Sequence, residues 1–303
     1  MAVSPCGCTR QKSDPVMFRD SAGWTVCQIG ARENYAVARA LARTGRLERL
    51  VTDLWAGPGS FATWVHPRLG ERFHSEIAGD CVRALTARTM LREVGDRARG
   101  RTGWTQIMAR NMWFQEQVVR VLKNLSGDRP RIIFAYSYAA GDILDYARAR
   151  GWHTVLGQID PGPVEARLVA DLYAEAGDTV YEIIPDAYWA AWRRETTLAD
   201  RIVVNSPWSR ACLEEEGVAG DKIEVLPLAY EPAREALART ELPATFSEAR
   251  PLRLLFLGQV TLRKGIDLAL EAVRRLPGAP LRLDVVGPVQ ITVPDWVAGD
   301  PRI

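Results

Sequence analysis

The sequence predicts a doubly wound α/β protein built on parallel sheets, and three observations carry that prediction. First, short apolar runs of strand length recur along the chain: TVCQI, RIIFAY, HTVLGQI, RIVVN, LRLLFL and LRLDVV. Runs apolar at nearly every position, rather than at alternate ones, suit strands buried on both faces. Second, helical periods stand between these runs, the order that parallel sheets require. Third, strands end at Gly30, at Pro161–Gly162 and at Gly258 just before a helix begins. That order brings helix N-termini to the C-terminal edge of a sheet, where such folds bind their ligands.

Composition sets the outer bounds. A chain of 303 residues has room for two domains, and 47% hydrophobic with 25% charged residues is ordinary for a globular protein. Lys and Arg total 39 against 37 acids, a net charge of +2 that gives no reason to expect a nucleic-acid partner. No apolar run approaches the ~18 residues of a membrane span. The first residues, MAVSPCGCTRQKSDPV, lack the apolar core of a secretory signal and read as part of a disordered tail over 1–22. The five cysteines, Cys6, Cys8, Cys27, Cys81 and Cys212, are odd in number and lack Cys-x-x-Cys spacing, which fits a reducing cytosol. Cys6 and Cys8 have no third ligand nearby, and His66, His74 and His153 are too scattered for zinc. No metal and no cofactor are expected.

The first domain is expected over 23–230. TVCQI gives the opening strand and Gly30 its turn. A helix follows with Tyr35, Ala38, Leu41 and Ala42 on one side, stopped by Gly45, and LERLVTDLW is the next strand. Gly57-Pro-Gly59-Ser-Phe-Ala62 matches the dinucleotide pattern Gly-x-Gly-x-x-Gly/Ala in form. It follows the second strand rather than the first, however, and Pro67 interrupts any helix it would open. From Arg68 to Gly103 the chain is basic, with Arg83, Arg88, Arg92, Arg97, Arg99 and Arg101. Trp104 and Trp113 stand at its end, a pattern shared by solvated helices and helices lying on anionic membranes. Thr105 to Leu125 reads as a helix with Met108, Met112, Val119 and Leu122 in register, stopped by Gly127.

RIIFAY runs into Tyr136-Ser137-Tyr138, flanked by alanines in the manner of a nucleophile elbow. The downstream histidine, His153, opens the next strand at the opposite edge of the sheet, roughly 17 Å from Ser137 at strand rise. A triad cannot span that distance, so Tyr136, Ser137 and Tyr138 are read as cleft-lining residues. Asp160 ends the strand HTVLGQI on a rigid Pro161-Gly162-Pro163 turn, well placed for a substrate. Glu165 sits where a helix N-terminus favours an acid. The aromatic stretch from Tyr173 to Arg194, with Tyr188, Trp189 and Trp192, reads as helix, and Glu195 follows it toward the cleft. Ser206 caps the next helix and Pro207 takes its first position. Pro232, Pro243 and Pro251 mark a linker over 231–250.

The most informative stretch opens the second domain, expected over 251–303. LRLLFL ends at Gly258, and Arg263, Lys264 and Gly265 precede a helix with Ile266, Leu270 and Val273 on one face. Two fixed charges stand between a strand end and a helix start, where a phosphate binds readily. The pattern is not a P-loop, since Arg263 and Gly265 replace the glycine and hydroxyl that motif needs. Together with ADRIVVNSPWSR and KIEVLPLAYEP, it resembles family 4 (group 1) glycosyltransferases of the GT-B fold, over most of Trp24 to Pro288.

That resemblance implies two Rossmann-like doubly wound domains, the second incomplete in this chain. It implies transfer of a sugar, with retention, from a nucleoside-diphosphate sugar to a hydroxyl of a glycan or lipid-linked acceptor. Gly258, Arg263, Lys264 and Gly265 would hold the donor; Gln259 stands where the family carries a further arginine. Asp160 would be the carboxylate nearest the reacting sugar, with Gly30, Tyr136, Ser137, Tyr138 and Glu195 on the acceptor or cleft side. No Asp-x-Asp occurs, so the charge for the departing diphosphate is expected from Arg263 and Lys264 without metal. A cytoplasmic place is expected, with peripheral contact at the inner face of the membrane through 83–113. The 53 residues from Pro251 onward are short for a doubly wound domain, so an inactive fragment is a further expectation. A nucleotide-sugar epimerase of GT-B form, a hydrolase using Ser137 and a non-catalytic binding chain remain as alternatives.

Overall fold

A computed structural model describes residues 22–60, 67–125, 127, 130–179, 181–229 and 243–303. The tail and its two cysteines, His66, the end of the Gly57–Ala62 pattern and most of the expected linker lie outside the described residues.

The first unit is a parallel sheet. Its strands are β1 (Gly23–Gln28), β2 (Leu47–Thr52), β3 (Val82–Ala84), β4 (Arg131–Tyr136), β5 (His153–Gly157), β6 (Arg201–Val204) and β7 (Ile223–Val225). They lie in the order β3-β2-β1-β4-β5-β6-β7, and every pairing is parallel. The order reverses between β1 and β4, the switch point at which doubly wound folds open a crevice for ligand. The helices are α1 (Ala36–Arg43), α2 (Thr86–Ala98), α3 (Gly103–Lys123), α4 (Gly141–Ala149), α5 (Pro163–Glu175), α6 (Asp186–Leu198) and α7 (Pro207–Glu215).

Alternate strand residues feed two separate cores, the signature of a sheet covered on both faces. Cys27, Val51, Ile133, Ala135 and Leu156 join Phe114, Ile143, Leu144, Trp192 and Leu213. Val26, Leu50, Ile132, Phe134 and Val155 join Tyr35 and Ala38 on the other side. The doubly wound α/β class read from the sequence is therefore the one observed.

Four local expectations differ. The stripe through α3 runs along Asn111, Phe114, Gln115, Val118 and Leu122, while Met112 is 56% exposed. Polar residues occupy the buried face because they have partners: Gln115 Oε1 accepts from Asp142 N and Gln117 Oε1 from Arg88. A count of apolar positions alone misses that face. The aromatic stretch is not one helix; α5 ends before Gly177, and α6 begins only after Pro185. The basic stretch contains a 3₁₀ turn at Pro67–Arg72 and the edge strand β3 before α2 starts. LRLLFL, finally, is not buried on both faces.

That last strand belongs to the second unit, where β8 (Leu252–Leu257) pairs in parallel with β9 (Leu281–Val286) across α8 (Ile266–Arg275). Ile266, Leu270 and Val273 of α8 pack on Leu281 and Leu283. On the opposite face Leu255 and Leu257 are exposed beside the Arg253–Asp284 ion pair. Among the described residues only one layer covers this sheet.

The two units differ in what a truncation should do. Leu156→Ala, at a fully buried position, should cost about 2–5 kcal/mol, and Leu257→Ala, at 73% exposure, less than about 0.5 kcal/mol. Urea denaturation of the full chain measures both; equal effects would contradict this packing.

Candidate functional site

The site forms where the first unit's strands end. After β1 the chain reaches Gly30 at φ 79°, a left-handed backbone that glycine adopts without strain. Gly30 N donates to Asp53 Oδ1 at 2.8 Å, and Gln28 Nε2 donates to Gly30 O at 2.8 Å, so the turn is fastened from both sides. A Cβ at Gly30 would come within 2.9 Å of Arg72 Nη1. Asp53 and Arg72 were not singled out in the sequence. The signal for Asp53 was its place just past β2, the same edge as Gly30.

After β4 come Tyr136, Ser137 and Tyr138, and Tyr138 holds a left-handed φ of 72°. A tyrosine adopts that conformation only when its surroundings over-determine it. Here α6 supplies the restraint. Glu195 Oε2 accepts from Tyr138 N at 2.6 Å, and Oε1 accepts from Ala140 N at 2.7 Å and Gly141 N at 3.1 Å. The Tyr138 ring stacks on Tyr188 of α6, with centroids 4.6 Å apart. Its hydroxyl donates to Asp160 Oδ1 in a short hydrogen bond.

Asp160 is held from two more directions, one of them fastened in turn by α6. Gly162 N donates to the same oxygen at 2.9 Å, Gln158 Nε2 donates to Asp160 O at 2.9 Å, and Trp192 Nε1 of α6 fixes Gln158 at 3.0 Å. One face of α6 therefore positions both strand ends, through Glu195 to Tyr138 and through Trp192 to Gln158. Oδ2 of Asp160 has no hydrogen bond to the described residues and stays open at this edge.

The expected cleft role of Glu195 needs correction. Its carboxylate is fully buried and engaged by three backbone N–H groups, so it braces the turn from behind. Ser137 is also buried, and its hydroxyl accepts from Ile159 N at 3.3 Å. His153 pairs with Ile132 at the far end of β4 and lies 3.3 Å from Asp200, so no histidine stands by Ser137 among the described residues.

Two cavities open along this edge. One, of about 310 Å³, is lined by Gly30, Asp53, Arg72, Arg110, Tyr136 and Ser137, among others. The other, of about 570 Å³, lies between the units, with Asp160, Glu165 and Trp208 on one side and Arg263 and Lys264 on the other. Arg32 and Ile159 line both. Across the second cavity Arg263 Nη1 lies 3.1 Å from Glu165 Oε1, while Lys264 is exposed with no ion-pair partner among the described residues.

Arg263 and Lys264 end a 3₁₀ turn, and Gly265 at φ 74° starts α8. Neither Gly258 nor Gly265 is among the lining residues. At Gly258 the close pairing of the two strand ends matters: a Cβ on Gly287 would fall 1.7 Å from Gly258 O. Among the described residues no group of three His, Cys, Asp or Glu is placed to hold a metal ion, and no helix is long and apolar enough to cross a membrane.

Burial shifts the groups in the brace. It raises the Tyr136, Tyr138 and Tyr188 phenols above their usual range, so all three act as neutral hydroxyls. It also pushes Glu195 up to about 7, the three backbone N–H groups opposing it only in part. The sign follows from linkage: the fold favours protonated Glu195, so stability from this group falls as pH rises from about 4.5 to about 7. A shift of that size corresponds to roughly 3 kcal/mol.

No protein-family model matches the chain, and no curated protein matches it. Some solved structures resemble it at low identity. Alr3699/HepE of Anabaena in complex with UDP is 13% identical, with a TM-score of 0.47 over 88% of this chain. The lipopolysaccharide outer core galactosyltransferase WaaB in its apo form is 12% identical, with a TM-score of 0.44 over 88% of this chain and 60% of its own. UDP-GlcNAc 2-epimerase from Neisseria meningitidis bound to UDP-GlcNAc is 15% identical, with a TM-score of 0.43 over 88% of this chain and 66% of its own. The chain spans 61% of the length of the HepE structure. At these TM-scores the likenesses decide nothing about activity.

Glu195→Gln should therefore change stability in a pH-dependent way. The wild-type stability minus that of the variant should fall by up to roughly 3 kcal/mol between pH 4.5 and 7 and then level off. Denaturant titrations across pH measure it, and a difference that stays flat with pH would remove the raised pKa from this brace.

Proposed function

We propose that this chain is a glycosyltransferase of GT-B type that moves a sugar from a nucleoside-diphosphate sugar to an acceptor hydroxyl. One observation supports this best: the 570 Å³ cavity joins a strand-end carboxylate, Asp160, to a strand-to-helix turn bearing Arg263 and Lys264. The resemblance of LRLLFLG…RKG to family 4 glycosyltransferases points the same way. Retention, and a glycan or lipid-linked acceptor, come from that resemblance alone.

In this reading the diphosphate lies against Arg263, Lys264 and the start of α8. Positive charge there stabilises the departing nucleotide, and a fixed group pays no reorganisation as charge develops. Arg263 would exchange Glu165 for the phosphate. Asp160, clamped through Oδ1, lines the donor cavity and would be the carboxylate nearest the reacting sugar. The acceptor occupies the 310 Å³ cavity, and Arg32 stands between the two substrates.

An epimerase of the same form would also take a nucleotide sugar, but would consume it without an acceptor. Thermal shift with UDP-, GDP- and ADP-sugars tests the donor first. Lys264→Ala should weaken donor binding about ten- to a hundredfold, the worth of one charged hydrogen bond. Unchanged affinity by calorimetry would remove Lys264 from the site. Asp160→Asn should lower turnover while leaving donor affinity in place, and untouched turnover would make Asp160 structural.

Peripheral contact with an anionic membrane is the second part of the proposal. On α2, Met90, Leu91 and Val94 are exposed along one side, with Leu91 at 75%, and Arg83, Arg88, Arg97 and Arg99 are exposed around them. Apolar side chains flanked by arginine suit a headgroup boundary, at about 1 kcal/mol per basic residue. Flotation with anionic liposomes at low salt should carry the chain upward, and Leu91→Glu with Val94→Glu should abolish it. Absence of binding at both low and moderate salt would end the idea.

A further inference from the structure

The 310 Å³ cavity holds hydrogen-bonding capacity that the described residues do not satisfy. Three buried side-chain atoms on its lining residues have no hydrogen-bond partner among them: Gln28 Oε1, Arg72 Nη1 and Arg92 Nε. One is an acceptor and two are guanidinium donors. Native proteins leave few such groups buried, and three on one cavity mark a place where a ligand completes the set.

The remainder of each side chain is held in place. Gln28 Nε2 is spent on Gly30 O. Arg92 bonds the Asp96 carboxylate through Nη1, and its guanidinium lies over the Trp113 ring, 5.4 Å from the centroid. Arg72 Nη1 stands 3.9 Å from Asp53 Oδ1, beyond hydrogen-bond reach. That oxygen already accepts from Gly30 N at 2.8 Å and from the Thr52 hydroxyl at 3.2 Å. Gly30, lacking a Cβ, leaves the Arg72 guanidinium its seat. Arg32 and Arg110 also line the cavity, so four arginines face two carboxylates, Asp53 and Glu93.

We propose that this cavity binds a saccharide bearing an oxyanion, with the anionic group on Arg72 and Arg92 and a hydroxyl donating to Gln28 Oε1. The guanidinium fork suits a carboxylate and a phosphoryl group alike, so the shared chemistry is the planar or tetrahedral oxyanion. A volume of about 310 Å³ lies at the lower end of small-molecule sites, and Tyr136 and Tyr188 are among its lining residues. This deepens the reading of the cavity as the acceptor side by giving the acceptor a charge.

Calorimetry on the full chain, without donor, tests it with three probes: glucuronic acid, glucose 6-phosphate and glucose. At least one anion should bind about ten- to a hundredfold more tightly than glucose, and the tighter anion identifies carboxylate or phosphoryl as the source. Arg72→Gln should remove most of that preference. Arg110→Gln, at an exposed helix position, should reduce it without touching the fold. Arg120→Gln, on α3 away from the cavity, serves as the control that leaves it unchanged. Equal binding of glucose and both anions, no binding of any probe, or a preference surviving both arginine variants would each overturn the proposal. Nucleotide-sugar binding, measured separately, keeps the two readings apart. A chain that binds nucleotide sugars but prefers no anion loses only this inference, whereas one that prefers anions but binds no nucleotide sugar loses only the glycosyltransferase reading.

Discussion

A buried carboxylate holds the site together. Glu195 sits under the turn after β4 and accepts three backbone N–H bonds, two of them from the start of α4. Those donors would otherwise be orphans of a helix N-terminus in a dry interior. The same bonds fix Tyr138 in a backbone region that tyrosine avoids, and Tyr138 in turn holds Asp160. Trp192, one turn earlier on α6, fixes Asp160 through Gln158. Desolvating the carboxylate is costly, and the turn it braces is the return.

The first unit was legible because its strands are apolar at almost every position and most of its helices stop near a glycine. Gly30, Ser206 with Pro207, and the Asp160 turn fell where their chemistry predicts. What escaped the sequence was polar. Gln115 and Gln117 on the buried face of α3, Glu195 under its turn, and Asp53 just past β2 are buried because partners from other segments satisfy them. Glu195 meets Tyr138 across 57 positions of chain, and no local pattern announces such a pairing. Periodicity reports burial only where burial is apolar.

The second unit shows the opposite error. LRLLFL reads as a strand covered on both faces, yet Leu255 and Leu257 face outward because α8 covers one side alone. Burial of a parallel strand is a property of the layers around it, and a strand's own residues do not specify how many layers there are. The helix start at Gly265 was legible for a different reason. A left-handed residue between a charged turn and an amphipathic run demands glycine whatever packs around it.

Three successive non-glycine residues with left-handed backbone follow Arg32, which lines both cavities. Glu33, Asn34 and Tyr35 take φ values of 50°, 52° and 59° in succession, and none is glycine. Left-handed backbone costs a non-glycine residue on the order of 1–2 kcal/mol, so three together need firm anchors at each end. Tyr35 is fully buried against Trp55, and its hydroxyl donates to Leu54 O at 3.4 Å. Tyr136 donates to Glu33 at 3.3 Å, and Arg32 lies over the Tyr136 ring, 5.5 Å from its centroid. A relaxed helical start would dispense with this arrangement and carry Arg32 elsewhere. Held as it is, Arg32 faces both cavities from the switch point of the sheet. A cation fixed there attracts negative charge from either side, and its Coulomb attraction adds to that of Arg72 in one cavity and of Lys264 in the other.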